Sequence, residues 1–190
     1  MTTITSLRRA ALAAIACSIV LVAAPAVPAA DVTFTGPGVL TSVGQSSDVA
    51  IAKVLLNTQL KLGLDYKPTA QPADLTGMKT LVVILGASTK GLGAAGLDMD
   101  KEIARTKALL KAAKELKIKV LAMHTGGEAR RGQTSNDLIK IVVPEADYVI
   151  VVATGNKDKL FNQLAAPRNV PVVEVEKMAA AGDAVKAVFK

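Results

Sequence analysis

Residues 80–86, TLVVILG, constrain the fold of this chain more than any other stretch. The run has no polar alternation, so as a strand it presents apolar side chains on both faces, and both faces must be covered. Such a strand belongs inside a sheet with helices above and below it. The other strand-like runs are VLTS (39–42), KVLAMH (119–124), DYVIVVA (147–153) and VPVVEV (170–175).

Helix-like segments separate these runs. One covers about 47–62, where Val49, Ala52, Leu55, Leu56 and Leu60 recur near helical spacing. A long one covers 98–117, capped by Asp98 or Asp100, with Ile103, Thr106, Leu110 and Ala113 inward and Arg105, Lys111, Lys114 and Glu115 outward. Shorter helices are expected near 134–143, 157–166 and 178–189. The segment YKPTAQPADLTG is broken by proline and glycine and has room for one short edge strand at most. Strands and helices in alternation imply right-handed crossovers and a mostly parallel, doubly wound sheet. The expected fold is a single three-layer α/β domain, Rossmann- or flavodoxin-like.

That domain does not begin at residue 1. MTTITSLRR is a basic start, AALAAIACSIVLVAA an apolar core, and PAVPAA a run of small residues, the three parts of a secretory signal peptide. The apolar core is shorter than the ~20 residues that span a bilayer. Cleavage is expected after Ala29, with Ala26 as an earlier alternative, leaving a domain over 30–190. Arg8-Arg9 lacks the rest of a twin-arginine signal, and Cys17 lies too deep in the apolar core for a lipidation site. The expected localisation is therefore periplasmic or extracellular.

Loss of the leader leaves no cysteine, so disulfides, thiolate metal sites and cysteine nucleophiles drop out. With His124 as the single histidine, no metal and no cofactor are expected. The remaining 21 basic residues against 16 acidic ones leave a net charge of about +5. The lysines are dispersed and aromatics are 3% of residues, which does not suit nucleic acid.

In doubly wound sheets ligands bind beyond the carboxyl ends of the strands. The loops expected in those places are SVGQSSD (42–48), GASTKGLGAAG (86–96), HTGGEARRGQTSN (124–136) and TGNKD (154–158), each polar and glycine-rich. The candidate ligand-binding residues they contain are Gln45, Ser46, Ser88, Lys90, His124, Glu128, Arg130, Arg131 and Asn156. Arginine forks bind carboxylate or phosphate bidentately. Against each stands an ordinary role: Ser46 and Ser47 as helix caps, His124 as a strand-end histidine held by backbone, Glu128 as a local partner of arginine.

GLGAAG fits G-x-G-x-x-G, but as a dinucleotide fingerprint it is misplaced. Gly86 already ends the strand, ASTK intervenes before Gly91, and the next strand ends in His124 and Thr125 rather than an acid. Asp98 and Asp100 at the following helix start compete with phosphate for the same dipole. No G-K-[ST] marks a P-loop, and Gly44-Gln45-Ser46 lacks the closing glycine of a serine elbow.

In TSVGQSSDV, GASTKGLGAAGLD, HTGGEARRG and GNKD the chain resembles a family of small exported bacterial proteins classed as a domain of unknown function. The resemblance covers nearly all of the mature chain. It implies an exported Rossmann-like domain and carries no activity and no catalytic residues. The leading expectation is an exported binding protein for a small, anionic solute, serving a membrane transporter or sensor. The alternatives are an exported hydrolase using Ser46 and His124, and a protein whose loops dock onto a membrane complex.

Overall fold

The computed structural model describes residues 32–190. The leader-like stretch 1–29, with its expected cleavage site, lies outside the described residues. Six parallel strands form one sheet in the order β2-β1-β3-β4-β5-β6. They are β1 (Gly38–Val43), β2 (Asp65–Tyr66), β3 (Thr80–Leu85), β4 (Lys119–His124), β5 (Tyr148–Val152) and β6 (Val172–Val175). The two-residue β2 is the short edge strand that the proline-rich segment allowed.

The unbroken apolar runs divide by the two-residue period of a strand. In β3, Leu81, Val83 and Leu85 face one core while Val82 and Ile84 face the other. In β4, Val120 and Ala122 oppose Leu121 and Met123 in the same way. One core is covered by α1 (Asp48–Lys53), its continuation as a π-helical turn (Val54–Gln59), and α6 (Met178–Val188). The other is covered by α3 (Met99–Glu115), α4 (Gln133–Val142) and α5 (Leu160–Ala165). This is a three-layer α/β fold, consistent with the Rossmann/flavodoxin-like class.

Four local expectations are corrected. The helix over 47–62 does not run through, because Asn57 donates to the Leu64 carbonyl at 2.7 Å and accepts from its N–H at 2.9 Å. The last turns take π geometry over Val54–Gln59 and end before Gly63. The helix expected over 157–166 starts only at Leu160, because Lys159 has a φ of 55° and Ala153–Gly155 forms a separate 3-10 turn. GASTKGLGAAG is not loop throughout: α2 (Thr89–Ala94) forms within it, capped by Ser88 Oγ, which accepts from Gly91 N–H at 3.1 Å. Finally, Arg105 does not point outward from α3, where its side chain is 3% exposed.

Candidate functional site

From β1 the chain passes outward to β2, while β3 to β6 extend the other way, so the strand order reverses between β1 and β3. This is the switch point at which open α/β sheets hold ligands. Parallel pairing brings the four glycine-rich segments to one edge of the sheet.

At the switch point itself the segments after β1 and β3 close on each other. Ser88 N–H donates to the Gly44 carbonyl at 2.8 Å, and Ser46 N–H to the Gly86 carbonyl at 3.2 Å. Gly44, at φ 98°, is needed here, since a Cβ would lie 2.5 Å from the Gly86 oxygen. From beneath, Glu102 accepts from Gly44 N–H at 2.7 Å and from the Gln45 amide at 3.1 Å. Arg105 donates to Glu102, to the Ser42 carbonyl at 2.6 Å and to the Ala70 carbonyl at 2.9 Å. Burial pushes the Glu102 carboxyl up, but Arg105 and the Gly44 N–H outweigh it and hold the group below its usual range.

Gln45 therefore does not face a ligand: its amide also bonds the carbonyls of Ser42 and Pro68, and it holds the turn after β1 together. Ser46 is 2% exposed and its Oγ has no hydrogen-bond partner. Ser47 occupies the cap position of α1 without a side-chain cap bond, and its hydroxyl accepts instead from Arg130 at 3.1 Å.

His124, at the end of β4, is fully buried. Its Nδ1 lies 3.0 Å from the Leu85 carbonyl and its Nε2 3.1 Å from the Gly127 carbonyl. Burial lowers its pKa, and the two carbonyls act in the opposite direction. With β3 between β1 and β4, and both ring nitrogens engaged by carbonyl oxygens, neither nitrogen is directed at Ser46 as a base.

The two arginine forks are also committed. Arg130 reaches the Asp48 carboxylate at 3.2 Å, with that side chain 10% exposed. Arg131 grips Asp158 with both terminal nitrogens, at 3.0 and 2.8 Å, and donates to the Gly155 carbonyl and to Asn136. This guanidinium holds the Asp158 carboxyl down at about 2. Glu128 is exposed and pairs with Lys157 at 2.6 Å. Asn156, fully buried, donates to Asn162 and Glu174 and accepts from Phe161 N–H, so it organises the start of α5. Lys90 is exposed, with no hydrogen bond or ion pair among the described residues.

Among these segments lies a cavity of about 160 Å³, between Ala87 and Thr89 after β3 and residues 131–135 leading into α4. Arg131 forms one wall, and Thr89, Thr134 and Ser135 bring hydroxyls. The Ser135 hydroxyl accepts from Ala87 N–H at 2.9 Å and ties the two walls together. Gly132, which precedes α4, offers no side-chain cap, so the first-turn N–H groups lack one at the cavity. Of the residues expected at the site, Arg131 lines this cavity and Ser88 and Lys90 flank Thr89. Gln45, His124, Arg130 and Asn156 are structural supports around it. Sequence reading missed Thr89, Thr134 and Ser135, which lie in the right segments, and Glu102 and Arg105, which no loop pattern marks.

Fold and site together define a single-sheet α/β protein with a flavodoxin-like strand order and a small polar cavity at the carboxyl edge of its strands. The chain belongs to the family described as domain of unknown function DUF6305, whose model matches residues 35–189. That match takes in all six strands. No match was found among the curated proteins.

Proposed function

We propose that this protein is an exported binding protein for a small anionic solute, held in the cavity between Thr89 and the start of α4. The observation that carries the reading is the meeting of the Arg131 guanidinium, three hydroxyls and an uncapped helix start in one cavity of about 160 Å³. Helix N-terminal N–H groups favour an oxyanion, and the Arg131 guanidinium, though paired with Asp158, keeps a positive charge at the cavity wall. A volume close to the ~150 Å³ that accommodates benzene suits a carboxylate, sulfate or phosphate compound of few atoms. Lys90, exposed and next to Thr89 in the chain, adds positive charge to the same helix start. Export rests on the three-part leader of the first 29 residues, and a transporter or sensor is the class of partner that such a binding protein serves.

Titration calorimetry with inorganic phosphate, sulfate and short dicarboxylates tests the reading. Thr89→Glu, an exposed substitution that adds a negative charge to the cavity rim, is expected to abolish binding while the melting temperature stays unchanged. A folded wild-type protein that binds none of these anions at millimolar concentration overturns the proposal.

A further inference from the structure

At the opposite end of the sheet, three depressions join into one trough. The first, about 320 Å³, lies between α3 and α4 over a floor of Leu110 and Ile141. The second, about 200 Å³, shares Leu110, Lys114 and Glu145 with it and turns round the end of α3. The third shares Lys117 and Lys119 with the second and ends at Thr33 and Thr35. Along the trough stand Lys79, Lys107, Lys111, Lys114, Lys117 and Lys119, with Arg168 on the far wall. Among the described residues, the carboxylates lining it are Glu145 and Asp147.

The spacing of Lys107, Lys111 and Lys114 places all three on one face of α3. Lys79, Lys107 and Lys117 have no side-chain partner among the described residues, Lys111, Lys114 and Arg168 meet Glu115, Glu145 and Asp147 only at 3.9, 3.6 and 3.9 Å, and Lys119 donates to the Thr33 carbonyl at 2.9 Å. Leu116, 53% exposed, lines the third depression. A run of like charge with this little compensation repels itself, and an anionic partner relieves it.

We propose that this trough docks an acidic segment of a partner protein in which carboxylates alternate with aliphatic side chains. The trough is concave and its cations spread over ~15 Å from Lys107 to Lys117, at 1.5 Å per helical residue. That length exceeds a small solute and matches about five residues of extended chain. A concave trough does not fit a flat bilayer. Its floor is aliphatic rather than aromatic, which suits leucine or valine and gives nucleic-acid bases nothing to stack on. The cations are lysines but for one, point charges on flexible stems that pair with carboxylates at variable spacing. This surface is separate from the cavity beside Thr89, so either reading can fail without the other.

The test is fluorescence anisotropy of the full chain with a short labelled peptide that alternates glutamate and leucine. An all-glutamate peptide of equal charge and phosphatidylglycerol vesicles serve as comparators. The alternating peptide is expected to bind, and the combined variant Lys107→Glu, Lys111→Glu, Lys114→Glu to weaken it on the order of tenfold or more at low salt. Leu116→Ser is expected to weaken it several-fold. The exposed positions let both variants keep the wild-type circular dichroism at the assay temperature, which shows that the surface, not the fold, is being read. No binding by the folded protein, equal binding of the all-glutamate peptide, or unchanged binding in the triple variant overturns the proposal. Vesicle binding that the triple variant loses, without peptide binding, assigns the trough to lipid and overturns it as well.

Discussion

Glu102 and Arg105 stand three residues apart on α3, both buried, and together bond the backbone on either side of the end of β1. The pair clamps the turn at the sheet's switch point to the helix behind it. Gly44 and Gln45 donate to Glu102 and the Ser42 carbonyl accepts from Arg105, so the geometry of this edge of the sheet depends on two buried charges.

Removal of one partner leaves the other charge buried without compensation, which costs about 3–5 kcal/mol. Arg105→Met is therefore expected to lower the stability measured by urea denaturation by about that amount. Glu102→Gln strands the guanidinium instead, and the double variant is expected to lose much less than the sum of the two. A double-mutant cycle with additive losses contradicts the clamp.

His124 makes stability depend on pH. Burial lowers its folded pKa below the ordinary value of 6.5, so the unfolded chain binds the proton first as pH falls. Its contribution is fully present above about pH 6.5 and declines as pH drops toward the folded value. The melting temperature of the wild type is expected to fall from about pH 7 to pH 5. His124→Gln, which still has an amide to donate to a carbonyl, is expected to melt at a lower temperature but with a flatter slope. Parallel slopes assign the dependence to another group.

Asp158 remains ionised down to about 2 because Arg131 grips it, so the pair persists at every pH above the ordinary carboxyl value of 3.8. Its stabilisation is lost only as pH falls from about 4 through about 2. Asp158→Asn removes the competing carboxylate, while Gly155 and Asn136 still hold the guanidinium. Phosphate affinity at the cavity is expected to rise a few-fold, measured by calorimetry at low salt.

The glycines of GLGAAG separate by what surrounds them. A Cβ on Gly91 would lie 1.9 Å from the Gln45 carbonyl oxygen, whereas one on Gly93 meets nothing within 4 Å. Gly91→Ala is expected to destabilise by about 2 kcal/mol or more as α2 is pushed off the turn after β1. Gly93→Ala, within the same helix, is expected to stabilise by about 0.5–1 kcal/mol. Thermal denaturation of the two variants reads the contrast.

The sheet was legible because its signal is local. TLVVIL, KVLAMH and DYVIVVA each carry, in consecutive residues, the two-sided apolarity that a covered parallel strand needs, and each became a strand within one residue of its reading. The gathering of the four glycine-rich segments at one edge was legible too, since parallel pairing takes every strand's carboxyl end to one side. Asp98 as the cap of α3 belongs with these, its carboxylate accepting from Lys101 N–H at 2.8 Å.

The site residues were not decided this way. Arg130 and Arg131 occur in a polar loop that reads as two free forks, yet Asp48 and Asp158, 82 and 27 residues away, take both. Gln45 and Asn156 read as ligand contacts and are interior struts, because the backbone carbonyls and carboxylates they meet come from other segments. Arg105 followed the charged face of its helix on paper and went inward because Glu102 and the end of β1 supplied its partners. What one stretch of chain determines for itself is which face is apolar and where a helix starts, since those depend on neighbours at fixed spacing. Which polar group is left free for a ligand depends on what the rest of the chain brings beside it, and only the packed fold decides that.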